Sequence, residues 1–185
     1  MYNVKGFELK NTLADMTVKE FETISHILKD ESKETIERYL DVLEELGMPE
    51  DLMDSLSDVE LFDIIKAFSA ENPFTKLIPA VEVDGYTYVA YPEGESFVIK
   101  ARDLSLIEKA IKNEANFLSR ILAIVFKRED LGKTEHYAGA HITHKAKLFG
   151  ALNAGQMYPY LLHITDTLNK HIQQHVESTD TTTAA

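Results

Sequence analysis

The sequence predicts a mainly α domain, a helical domain with a central antiparallel β-hairpin or small three-stranded sheet. Three observations carry that prediction. Apolar residues recur at helical spacing through most of the chain, helix-start signatures precede several of those stretches, and the period falls to two only around residues 80–89. At 185 residues the chain is one domain, or two small ones sharing a core. With 44% hydrophobic and 27% charged residues it has the composition of a packed protein rather than a disordered or fibrous one.

After an extended start around Gly6-Phe7-Glu8-Leu9, Thr17-Val18-Lys19-Glu20 reads as a capping box, in which hydroxyl and carboxylate each satisfy an orphan amide of the first turn. Behind it, Val18, Phe21, Ile24 and Leu28 share one helical face. The next helix is predicted to start near Ser32, with Ile36, Tyr39, Leu40, Leu43 and Leu46 at helical spacing, and to end at Gly47. Pro49 suits the first turn of a short helix. Ser57-Asp58-Val59-Glu60 is a second capping box, opening a helix that turns Leu61, Ile64, Ile65 and Phe68 inward until Asn72-Pro73.

The centre changes period. Ala80-Val81-Glu82-Val83, a two-residue Asp84-Gly85 turn and Tyr86-Thr87-Tyr88-Val89 predict a hairpin pairing Val83 with Tyr86 and Val81 with Tyr88. Pro92-Glu93-Gly94 is a turn, and Ser96–Lys100 is expected to add a third strand. Helix returns at Ser105-Leu106-Ile107-Glu108, read as a third capping box, and continues through about residue 126 with a break near Asn113–Asn116. Phe117–Phe126 is apolar almost all round and too short to span a bilayer, so it is expected to be the central core helix. A loop from Glu129 to about Ala140 leads to a helix through Lys147, Leu148, Phe149 and Leu152 that ends in Asn153-Ala154-Gly155. The last helix is expected from near Tyr158-Pro159, burying Leu161, Ile164, Leu168 and Ile172. The organisation expected is an acidic helical lobe over 1–75, a hairpin or small sheet over 76–102, a second helical lobe over 103–177 and a disordered, Thr-rich tail over 178–185. A faint echo relates Asp15-Met16-Thr17-Val18 and Glu20 to Asp103-Leu104-Ser105-Leu106 and Glu108, at an offset too long for a solenoid. Duplication and the coincidence of two capped helices both account for it.

Lys and Arg total 19 against 31 Asp and Glu, a net charge of −12. Such a chain is repelled by phosphate backbones and anionic headgroups, which disfavours nucleic acid and membrane as partners. The deficit is uneven: residues 1–75 hold 18 acids and 7 bases, whereas 76–185 hold 13 acids and 12 bases. The acidic lobe either solvates its helices or steers a basic partner. The halves could also attract one another, within a chain or between copies in a homo-oligomer. The absence of cysteine excludes disulfides, thiolate metal sites and a cysteine nucleophile. No signal-peptide core or membrane-length apolar run is present, so the protein is expected to be soluble and intracellular.

No catalytic motif is legible, and no glycine-rich phosphate loop or serine elbow occurs, so neither cofactor nor enzymatic activity is expected. His136, His141 and His144, beside Glu135, could form part of a metal site and hence a metal-dependent enzyme, but no His-Glu-x-x-His pattern accompanies them. His171 and His175 suit the dipole of a helix C-terminus. Tyr86, Tyr88 and Tyr91 with Phe97, and Tyr158 with Tyr160, are candidate partner-binding residues, equally readable as rings packed on helices.

Leu13-Ala14-Asp15-Met16-Thr17-Val18-Lys19-Glu20-Phe21, followed by Leu46-Gly47-Met48-Pro49-Glu50-Asp51-Leu52 and Leu56-Ser57-Asp58, resembles the opening of small tail-assembly proteins of tailed bacteriophages. The second half is also similar, through the Val81–Val89 hairpin, Asp103-Leu104-Ser105-Leu106 and the core Leu122-Ala123-Ile124-Val125-Phe126. The resemblance spans residues 7–165 and departs in the C-terminal helix and tail. It implies a phage-encoded, non-enzymatic protein that binds other tail proteins. That protein would be a chaperone for the tape-measure protein in the host cytoplasm, or a permanent subunit of the virion tail or baseplate.

Overall fold

A computed structural model describes residues 1–68, 72–90, 101–113, 115–131 and 139–180. The chain opens with a hairpin, β1 (Tyr2–Val4) and β2 (Phe7–Leu9), then runs through α1 (Val18–Leu28), α2 (Thr35–Glu45), α3 (Glu50–Asp54) and α4 (Asp58–Ala67). A second hairpin, β3 (Ala80–Val83) and β4 (Tyr86–Ala90), precedes α5 (Ala101–Asn113), α6 (Phe117–Val125) and β5 (Phe126–Arg128). Two helices close the chain, α7 (Gly139–Phe149) and α8 (Ala154–Asp180). The fold is thus mainly α with two small antiparallel sheets, β1-β2 and β3-β4-β5.

Two of the three capping boxes form. Thr17 Oγ1 accepts the Glu20 amide while Glu20 accepts the Thr17 amide at 2.8 Å. Ser57 and Glu60 do the same for α4. The third does not form: α5 begins at Ala101, one turn ahead of Ser105, with Asp103 in the first turn where a carboxylate meets the helix dipole. The echo therefore relates a helix start to a helix interior. α2 begins at Thr35 rather than near Ser32, because Asp30 accepts the Ser32 amide and hydroxyl and holds that stretch as a turn.

The predicted hairpin register holds, with Val81 opposite Tyr88 and Val83 opposite Tyr86. Asp84 and Gly85 both take positive φ, 52° and 76°, as a tight turn between right-twisted strands requires. Ser96–Lys100 lies outside the described residues. The third strand described is β5, which pairs with β4 through Ala90 opposite Phe126. Helical periodicity carried Phe126 into the core helix, but it leaves that helix extended, at φ −85° and ψ 134°. There its ring is fully buried and its neighbours close the β4 edge; tertiary pairing overrides local propensity. The break before α6 falls at Asn113–Asn116 as expected.

The main core gathers α6 (Leu118, Ile121, Leu122, Val125), Ile107 of α5, Phe149 of α7, Ile164 of α8 and Val18 of α1. Edge-to-face rings run through it: Tyr88 on Phe149 at 5.1 Å, Phe149 on Phe126 at 5.9 Å, Phe126 on Tyr160 at 5.0 Å. A smaller core of Val4, Leu9, Leu43, Met48 and Ile64 lies under the N-terminal hairpin and α2–α4.

Backbone bonds tie the start of the chain to its end. Val18 donates to Leu152 O at 2.8 Å, Ala154 to Met16 O at 2.8 Å and Gly155 to Leu13 O at 2.8 Å. The approach is so close that a Cβ on Gly155 would lie 3.0 Å from Ala14 backbone atoms and 2.9 Å from Phe74 Cδ2. α8 starts at Ala154, not near Tyr158, because Asn153 caps it, accepting the Gln156 amide at 3.0 Å. Pro159 consequently sits inside the helix, and the Gly155 carbonyl that its missing N–H leaves open accepts Asn72 Nδ2 at 3.0 Å. α8 reaches Asp180, three residues into the segment expected to be disordered; 181–185 lie outside the described residues.

Candidate partner-binding groove

The site begins with the stop of α2. Gly47 adopts φ +82°, which an L side chain takes only with strain, and donates to Glu44 O at 2.9 Å, while Met48 donates to Leu43 O at 2.9 Å. That pair of bonds ends the helix and turns the chain back, and Pro49 then opens α3. The turn drives Met48 into the smaller core and leaves an open groove of about 480 Å³ between α2 and α3. Its apolar lining is Leu40, Met48 and Met53, of which Met48 is buried and the others half-buried. Its polar lining is four carboxylates, Asp41, Glu44, Glu50 and Asp54.

Asp41 is paired with Lys33 Nζ at 2.6 Å, and that bond holds the lysine above its ordinary pKa. Glu44, Glu50 and Asp54 form no ion pair among the described residues and are exposed. The sequence from Asp41 to Glu60 holds eight acids and neither Lys nor Arg. Glu60 is committed elsewhere: its bonds to Ser57, backbone first and then side chain, with Lys5 at 3.1 Å, pull its pKa down to about 2. The groove therefore presents an adaptable thioether floor under uncompensated negative charge.

The aromatic candidates have separate fates. Tyr88 and Tyr160 are corrected from contact residues to core: they are 4% and 1% exposed. Both stand in the edge-to-face ring series, where their apolar bodies fill the space between sheet and helices. The Tyr160 hydroxyl donates to Ile78 O, and burial pushes its pKa up to about 12. Tyr158 is half-buried, edge-on to Phe21 at 5.6 Å. Tyr86 is exposed, with the Arg128 guanidinium 3.8 Å above its ring. Tyr91 and Phe97 lie outside the described residues, as does His136. His141 and His144 are exposed on α7, and among the described residues no group of three His, Cys, Asp or Glu side chains could hold a metal ion.

Sequence reasoning passed over Glu22. Its carboxylate is buried under the N-terminus of α6, where it accepts the Ser119 amide at 2.6 Å and the Ser119 hydroxyl at 3.0 Å. Burial pushes its pKa up to about 7 against the opposing pull of the Ser119 and Leu118 bonds. A helix in one half of the sequence thus caps a helix in the other. The signal was present: Glu22 stands four residues after Val18, on the apolar face of α1.

No protein-family model, no curated protein and no solved structure matches this chain. Among the described residues, no helix is long and apolar enough to cross a membrane.

Proposed function

We propose that the chain is a tail-assembly protein of a tailed bacteriophage, a non-enzymatic protein that binds another tail protein in the manner of a tape-measure chaperone. The observation that supports this reading best is the open α2–α3 groove, apolar below and anionic around its mouth. A long helical partner exposes apolar stripes before it is enclosed, and such stripes aggregate. An acidic protein that covers them also keeps the complex soluble, since its net charge of −12 opposes association between complexes. The partners expected are other tail proteins, with no nucleic acid, membrane or cofactor involved.

Co-expression with the tape-measure protein encoded alongside tests the reading. The expected result is a soluble complex that co-elutes on size exclusion, with the chain absent from purified particles. A tape-measure protein that stays insoluble, with no complex eluting, contradicts it. Stoichiometric presence in particles would instead make the chain a virion subunit.

A further inference from the structure

The groove's own chemistry selects among partners. We infer that it takes a basic amphipathic helix, one that seats apolar side chains at i, i+3, i+4 and i+7 on Met48, Met53 and Leu40 and sets Lys or Arg against Glu44, Glu50 and Asp54. The inference rests on the chain being a polypeptide-binding protein and adds where it binds and what it binds.

Four features lead there. The groove volume, about 480 Å³, holds a few side chains rather than a whole domain. Its walls are helix surfaces that present side chains and no strand edge, so an extended segment would find no ladder of backbone partners there. A helix satisfies its own backbone groups. The carboxylates decide the charge: three of the four have no cationic partner among the described residues, and an acidic or neutral segment would leave their mutual repulsion in place. The methionine floor accepts apolar anchors of differing shape, so specificity comes from the amphipathic pattern and its charge more than from any single side chain.

The experiment uses the full chain with 13C-methyl methionine and three synthetic peptides. One is a Leu/Lys helix with Leu at i, i+3, i+4 and i+7; the second has Glu for every Lys; the third is a scramble of the first. The chain's five methionines report by position. The expected result is that the first peptide alone shifts the Met48 and Met53 methyl signals, while Met16 and Met157, buried in other clusters, stay fixed. Its affinity should fall at least about tenfold in the Glu44→Lys/Asp54→Lys variant, and roughly fivefold or more between 50 and 500 mM salt. Circular dichroism and thermal melting of the variant confirm that it folds, and Glu50→Gln serves as a milder second variant.

Equal binding of the scrambled or Glu peptide overturns the inference, as does binding with no Met53 shift. A Met53 shift that grows with protein concentration in the absence of peptide overturns it too, by giving the groove to a second copy. If the Leu/Lys peptide binds as stated while the tape-measure co-expression fails, the groove assignment stands and the tail-assembly reading falls. The reverse pair of results sinks only the groove.

Discussion

The region around α6 and the region around α2–α4 are built on opposite principles. Around α6, aromatic and branched side chains from five helices and a sheet bury one another almost completely. The α2–α4 region rests on a small core of five buried residues, and it leaves Val59 71% and Phe62 53% exposed. Buried apolar area stabilises in proportion to its extent, so the first region carries most of the folding free energy. The second carries most of the net negative charge and the groove between α2 and α3. On the proposed reading stability and recognition are segregated, and substitutions should separate them.

The largest effect belongs to the core. Phe149 is fully buried between Tyr88 and Phe126, and Phe149→Ala should lower stability by about 3–5 kcal/mol in urea unfolding. Met53→Ala in the groove should cost under about 1 kcal/mol. Similar losses at the two sites would erase the distinction.

Next comes Glu22, which ties α1 to the start of α6. Its folded-state pKa, about 7, lies above the ordinary 4.5. The stability it contributes is therefore complete below pH 4.5 and is lost as pH rises through about 7. Relative to Glu22→Gln, whose amide oxygen still accepts from Ser119, the wild type should lose up to about 3 kcal/mol over that window. Parallel stability–pH curves for the two proteins would show that burial does not govern this carboxyl. Glu22→Ala also removes the cap from α6 and leaves the Ser119 amide unpaired, while the Ser119 hydroxyl keeps the Asn116 carbonyl, and should be destabilising at every pH.

Gly155→Ala should cost about 1–3 kcal/mol, because the new methyl meets the Ala14 backbone, which cannot swing away, as well as the Phe74 ring. Gly47→Ala should cost about 1 kcal/mol through its positive φ. It should also weaken peptide binding, since that turn shapes the groove. The smallest stability effect is expected from Glu44→Gln with Asp54→Asn, within about 0.5 kcal/mol of wild type. A large loss there would make those carboxylates structural.

Local signals made much of the fold legible. The Thr17 and Ser57 boxes, Gly47 and the Asp84-Gly85 hairpin are decided by contacts within four or five residues, and all four form. Ser105 shows the limit: the same motif is inert once a helix has already started upstream. Phe126 was misread because it is settled by a distant partner, β4. Pro159 was misread because Asn153 caps α8 a turn earlier, while distant Asn72 takes the carbonyl that the proline leaves open. The site was harder still. Tyrosines at a hairpin suggest a contact surface, yet Tyr88 and Tyr160 pack inward through residues that no local pattern connects to them. The groove depends on how α3 folds back on α2. Sequence showed the charge there but not the cavity.

A photo-crosslinking residue introduced at position 53, compared with one at position 86, tests the segregation most directly. In cells co-expressing the partner proposed above, position 53 should crosslink to a Lys- or Arg-bearing helical segment of that partner, and position 86 should not. Crosslinks from position 86 alone would move recognition to the sheet and contradict the account.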